Sequence, residues 1–148
     1  MRIIVDTNIV FSAIIKPTSK IAKILLNSGR HFQLYSCDFL KIELFTHRAK
    51  LVKLTGLTVL QVEEIENLVT EHITFINERL IPSNILLEAE KLVHDIDLDD
   101  IVFVALSNYL EAKLWSGDKK LITGLESRGY KNVIDTSKIF ELLNTLET

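Results

Sequence analysis

Residues 2–8 read Arg2-Ile3-Ile4-Val5-Asp6-Thr7-Asn8. Three β-branched apolar residues follow one another with no polar residue between them. Such a run suits a strand covered on both faces, as in a parallel sheet packed under helices. It stops at an acid followed by Thr and Asn, side chains that favour the first position of a helix. A buried strand leading straight into a helix is the first half of a crossover unit, so this stretch sets the expectation of an α/β fold.

The same alternation continues outward from it. Helices are expected over residues 9–15, stopped by Pro17, and over 19–28, with Gly29 as the stop. Residues 32–35 read as a strand. One long helix is expected from residue 36 or 37 to 54, with Leu40, Leu44 and Leu51 on its apolar face and Gly56 at its end. Thr58 and Gln61 form a capping-box pattern that opens a helix through Ile73. A strand at 74–76 follows, and helical spacing resumes after Pro82 through Val93. Asp97-Leu98-Asp99-Asp100 opens a helix reaching Leu110. Residues 113–116 form a strand ending at Gly117-Asp118. Residues 119–127, 132–134 and 137–146 complete the pattern as helix, strand and helix. The expectation is a mostly parallel sheet with helices on both faces, and a helical hairpin from residue 37 to 73 beside it.

Composition bounds the function. The chain has 148 residues, 47 % apolar and 25 % charged, a size and balance that fit a single domain over residues 1–148. Five glycines and two prolines leave no linker-rich segment. No apolar run approaches the ~18 residues that a membrane span needs, and the N-terminus lacks an apolar leader segment. The single cysteine, Cys37, cannot close an internal disulfide. A cytoplasmic protein with no membrane partner is expected. Net charge is −3, but it is uneven: residues 1–56 hold nine Lys/Arg against three Asp/Glu, and residues 57–148 eight against seventeen. That asymmetry suits an anionic partner on one surface and a cation site elsewhere; a solvated helical surface accounts for it equally well.

In open α/β sheets ligands bind beyond the carboxyl ends of the strands. Asp6 and Asp118 stand at two such ends. Asp97, Asp99 and Asp100 crowd the start of a helix on the same rim, and Glu43 lies one to two turns into the helix after the second strand. Asp6, Glu43, Asp100 and Asp118 are therefore expected to converge. Two carboxylates ~5 Å apart repel by roughly 3 kcal/mol at an effective dielectric near 20, so convergence calls for a counter-ion. Oxygen ligands without a His or Cys cluster favour Mg²⁺ or Mn²⁺ over Zn²⁺. Such an ion can activate water against a phosphodiester.

Each residue also has a plainer reading. Asp6, Asp97 and Asp99 suit helix starts, Asp118 follows a turn glycine, and Glu43 alone is an ordinary helix residue. Asn8 and Ser116 are expected to support the acids. His47, one turn after Glu43, reads as a surface residue that is also able to face the site. Trp115 reads as core, and Cys37 as a small helix-start residue rather than a nucleophile.

These segments, in this order, resemble the PIN-domain nuclease family. Ile3-Ile4-Val5-Asp6-Thr7-Asn8-Ile9-Val10 is similar to its first strand and acid, Glu43-Leu44 to its helical Glu, Asp97-Leu98-Asp99-Asp100 with Phe103-Val104-Ala105-Leu106 to its central helix, and Trp115-Ser116-Gly117-Asp118-Lys119-Lys120-Leu121 to its later strand end. Ser116 stands where Thr is usual, which keeps the hydroxyl. The resemblance implies a three-layer α/β/α sandwich and metal-dependent hydrolysis of single-stranded RNA. It implies Asp6, Glu43, Asp100 and Asp118 as the catalytic, Mg²⁺- or Mn²⁺-binding set, with Asp97 (or Asp99 in its place) as a further ligand. Small stand-alone members are often VapC-like toxins, which implies an antitoxin partner and a possible homodimer. Lys16, Lys20, Lys23, Lys50 and Lys53 are the expected contacts for RNA phosphates. Two rivals are a non-catalytic interaction module of the same fold and a housekeeping RNA-processing nuclease. A haloacid-dehalogenase-like phosphatase needs a second Asp where Asn8 stands, and a receiver domain needs its acceptor Asp on a middle strand.

Overall fold

In the computed structural model, which describes residues 1–93, 95–96 and 98–147 and of residue 98 the backbone only, the apolar tetrapeptide forms strand β1 (Arg2–Val5) at the centre of a five-stranded sheet. The other strands are β2 (Gln33–Cys37), β3 (Ile73–Ile76), β4 (Lys113–Trp115) and β5 (Val133–Ile134). All pairings are parallel and the strand order is β3-β2-β1-β4-β5. Ile3, Ile4 and Val5 are wholly buried, as an unbroken apolar run between two helical layers requires. Ile4 sits opposite Tyr35 on one side and Leu114 on the other.

Nine α-helices lie among the described residues. They are α1 (Thr7–Ile15), α2 (Lys20–Asn27), α3 (Asp38–Thr46), α4 (Arg48–Thr55), α5 (Val59–Thr70), α6 (Ser83–Val93), α7 (Ile101–Leu110), α8 (Lys119–Ser127) and α9 (Thr136–Glu147). α7 packs across β1, β2 and β4 and is flanked by α6, which also meets α8. On the opposite side α1, α2, α5 and α9 pack on one another. The α/β/α layering expected from the sequence is what the chain adopts.

The sheet topology decides where a site can form. From β1 the chain steps outward to β2 and β3, then returns to the other side of β1 for β4 and β5. The direction reverses between β1 and β4, and the crevice beyond the strand ends at such a reversal is where open α/β sheets bind ligands. Asp6 ends β1 there, and Ser116, Gly117 and Asp118 follow β4.

Several expectations need correction, among them the helix expected through Ile73, which ends at Thr70 so that Ile73 opens β3. The single helix over residues 36–54 is two helices broken at His47 (φ −99°, ψ 11°). The Thr46 hydroxyl bonds back to the Ile42 carbonyl at 2.9 Å, a local competitor of the helix ladder. Leu40, Leu44 and Leu51 are all buried across the break, so the apolar spacing alone conceals it. The second strand runs on to Cys37, because Ser36 is buried with its hydroxyl donating to the Val5 carbonyl at 2.8 Å. Lastly, the acidic run begins with a 3₁₀ turn at Leu98–Asp100, and α7 starts only at Ile101. The helical stretch after β2 also does more than stand beside the sheet, since α4 and α5 both pack on α1.

Candidate active site

Asp6 is 2 % exposed at the junction of β1 and α1. Its Oδ1 caps the helix by accepting the Ile9 N–H at 3.1 Å. Its Oδ2 is buried with no hydrogen-bond partner among the described residues. Burial pushes the Asp6 carboxyl up to about 6; the Asp118 and Glu43 carboxylates push the same way, while the Ser116 hydroxyl and the Ile9 N–H pull against them. Acids remote in sequence therefore act on one another here.

Asp118 does for α8 what Asp6 does for α1. Its Oδ1 accepts the N–H groups of Lys120 (3.0 Å) and Leu121 (3.2 Å). The buried Ser116 hydroxyl accepts the Asp118 N–H at 3.1 Å, which fixes the turn between strand and acid. Both aspartates thus cap a helix through Oδ1. The capping and functional readings of these residues are compatible, because capping occupies one oxygen of each carboxylate.

Glu43 lies half-buried on α3, and its Oε1 accepts the Thr7 hydroxyl at 2.5 Å. Asp100 is 8 % exposed at the start of α7, and its side chain makes no cap bond to that helix. Asp97 lies outside the described residues.

Two adjoining clefts collect these groups. A small one of about 90 Å³ is lined by Asp6, Thr7, Asn8, Glu43, Asp99, Asp100 and Phe103. A larger one of about 590 Å³ is lined by Asn8, Phe11, Ser12, Ile15, Glu43, His47, Lys50, Leu51, Leu54, Gly117 and Asp118. Asn8 and Glu43 form the shared wall. The rim therefore gathers Asp6, Glu43 and Asp100 in one cleft and Asp118 in its neighbour. Of the five lysines expected to meet RNA, only Lys50 lines either cleft, and the Lys20 ammonium instead lies 5.3 Å over the Phe140 ring.

Among the described residues, no group of three or more His, Cys, Asp or Glu side chains forms a ready-made cation site. Carboxylates with no cation between them repel and spread. The donor chemistry nonetheless fits a hard divalent ion: every candidate ligand is a carboxylate, and Asp6 offers a buried oxygen that no other group satisfies. The single cysteine is not poised as a nucleophile. Cys37 is buried, and burial pushes its thiol up to about 12, with Glu78 adding to the effect.

Several residues of these clefts carry no functional sign when taken singly in sequence: Thr7 reads only as a helix-start residue, and Phe11 only as part of a short helix. Asn8, Phe11, Ser12 and Ile15 stand at i, i+3, i+4 and i+7, so they share one face of α1, opposite Ile9, Val10, Ala13 and Ile14 in the core. That spacing is the signal available in sequence.

Comparison with known proteins agrees with this fold. A chain of VapBC2 from Rickettsia felis, solved bound to a DNA fragment from their promoter, superposes with a TM-score of 0.68 over 91 % of this chain and 97 % of that one. Sequence identity is 14 %, so the likeness is one of fold. No curated protein matches the sequence. The family model described as "PIN domain" matches residues 4–142, from within β1 to within α9. The chain belongs to the PIN-domain family.

Proposed function

We propose that this chain is a metal-dependent endoribonuclease, one nuclease domain over residues 1–148, that hydrolyses phosphodiester bonds in single-stranded RNA as the toxin of a toxin–antitoxin pair. PIN domains are generally nucleases. The observation that carries the reading is the buried, unpartnered Oδ2 of Asp6, in a carboxyl whose affinity for its proton Glu43 and Asp118 both raise. A protein that leaves such charges facing one another gives up stability unless a cation or proton joins them.

Asp6, Glu43, Asp100 and Asp118 would hold Mg²⁺ or Mn²⁺, with Asp97 as a further ligand. When bound, the ion supplies positive charge for the scissile phosphate and lowers the pKa of an attacking water. The chain's own residues do the rest. Asp6 and Asp118 are fixed by the caps they make, Thr7 orients Glu43, and Ser116 holds the turn that presents Asp118. Asn8 stands exposed where the two clefts meet, in reach of either. The carboxylates repel RNA by themselves, so the ion serves binding as well as hydrolysis. An antitoxin or a second copy of the chain has exposed apolar surface available on α3, where Ile42 and Phe45 are 62 % and 73 % exposed.

The test is cleavage of a single-stranded RNA by the wild type, Asp6→Asn and Asp118→Asn, each with Mg²⁺ or Mn²⁺ and with EDTA. Cleavage by the wild type alone, abolished by EDTA, is expected. Equal cleavage in every arm would place the activity in a contaminant and end this reading. No cleavage together with no thermal stabilisation by Mn²⁺ would favour the interaction module, and a cleavage-competent chain that co-purifies with no antitoxin-like partner would favour a housekeeping nuclease.

A further inference from the structure

The larger cleft has more room than a phosphate needs. Ligand sites for small molecules begin at roughly 300 Å³, and this one is about 590 Å³. One end is acidic, at Glu43 and Asp118, and Lys50 lines the same cleft. Between the two helical walls stands an aromatic corner: the rings of Phe11 on α1 and His47 at the α3–α4 break lie 5.7 Å apart at 88°. A planar base laid on one ring meets the other edge-on, the two geometries that aromatic groups favour. His47 lies four residues after Glu43 at the break between α3 and α4, and both line this cleft.

We propose that this cleft is a nucleotide subsite, taking one unpaired base of the RNA against the Phe11–His47 corner with Lys50 on that nucleotide's phosphate, beside the phosphodiester at Glu43 and Asp118. The inference rests on the ribonuclease reading and adds to it the residues that position the substrate. A base enters such a corner only when splayed out of a helix, so the subsite selects unpaired nucleotides. Stacking is open to any base, so the corner orients the strand rather than reading a sequence.

The experiment measures fluorescence anisotropy of a 5′-labelled RNA decamer with hydrolysis-resistant phosphorothioate linkages in Mg²⁺, with the wild-type chain as the parent. Decamers carrying one abasic nucleotide at each position in turn are run beside the intact one. Phe11→Ala in that parent is expected to weaken binding of the intact decamer about tenfold. One abasic position should weaken the parent to a similar degree, and Phe11→Ala should then cost nothing further. Phe11→Tyr should restore binding. Lys50 is exposed, so Lys50→Ala leaves the fold alone; it should reduce the salt slope by about 0.7, and Lys50→Arg should restore it. If Phe11→Ala melts the protein, His47→Ala at an exposed position replaces it in the abasic comparison. Losses from the ring variant and the abasic site that multiply at every position, or an unchanged salt slope in Lys50→Ala, overturn the subsite. Unmodified RNA that is cut by the wild type, with the decamer bound regardless of these variants, defeats the subsite alone; RNA neither cut nor bound defeats the ribonuclease reading as well.

Discussion

The Thr7 hydroxyl donates to Glu43 Oε1 at 2.5 Å, joining the first residue of α1 to α3 across 36 positions of sequence. Thr7 itself is 5 % exposed at the start of α1, so its hydroxyl fixes where a long, half-buried glutamate points. A hydrogen bond to a charged group is worth about 1.5–3 kcal/mol. Thr7→Val keeps the shape and removes the donor. It should lower RNA cleavage about tenfold or more, whereas Thr7→Ser should retain most of it. Equal activity in the two variants would show that the hydroxyl does not orient Glu43.

Asp6 gives a pH signature. Its carboxyl titrates at about 6 in the folded chain against 3.8 unfolded, chiefly through burial, so the folded state binds this proton more tightly. The sign follows from linkage: stability contributed by this group is highest below pH 3.8 and falls as pH rises through 6. Asp6→Asn removes the charge and keeps a good cap. In EDTA it should be more stable than the wild type by on the order of 3 kcal/mol above pH 6, with the difference vanishing near pH 4. Denaturant midpoints across that range decide it; a gap independent of pH would contradict the assignment.

Divalent cations should reverse that penalty. An ion that binds only the folded chain stabilises it by about 3 kcal/mol at a hundredfold excess over its Kd. Mn²⁺ or Mg²⁺ should raise the Tm of the wild type, EDTA should cancel the rise, and Asp6→Asn or Asp118→Asn should abolish it. A Tm insensitive to either ion would leave the acidic rim without a metal.

The Arg48–Glu66 pair serves as a control away from the acids. Glu66 is 6 % exposed, and Arg48 reaches both of its oxygens, at 2.7 Å and 3.3 Å, with Glu63 at 3.4 Å. Arg48 keeps some solvent contact, so the loss in Arg48→Ala should be about 1–3 kcal/mol, below that of a fully buried pair. Its metal-induced shift in Tm should match that of the wild type. Loss of the shift would mean that the α4–α5 packing helps to shape the site.

How far the sequence reveals this molecule depends on the range of the interactions involved. β1 and its terminal acid are legible because burial on both faces and a helix cap leave local marks. So does the capping box, where the Thr58 and Gln61 side chains bond to one another's backbone N–H groups as their spacing predicts. The break at His47 leaves no such mark, since the apolar positions on either side stay in phase. The Phe11–His47 corner is hidden for a different reason: it depends on α3 and α4 packing on α1, contacts between segments separate in sequence. Topology orders the strand ends, and the acids that follow them, on one rim, but it does not divide those acids between two clefts.

The pairing of β4 with β1 has a consequence for the growing polypeptide. Residues 2–5 cannot gain their second neighbour until residues 113–115 have been made and have docked, with every earlier crossover already in place. Contacts of such separation form late and slowly. Until then Asp118 has no fixed position relative to Asp6, so a chain still emerging from the ribosome carries these acids without the clefts they line. The rim that gathers Asp6 and Asp118 is therefore a late product of folding, assembled only when β4 docks beside β1.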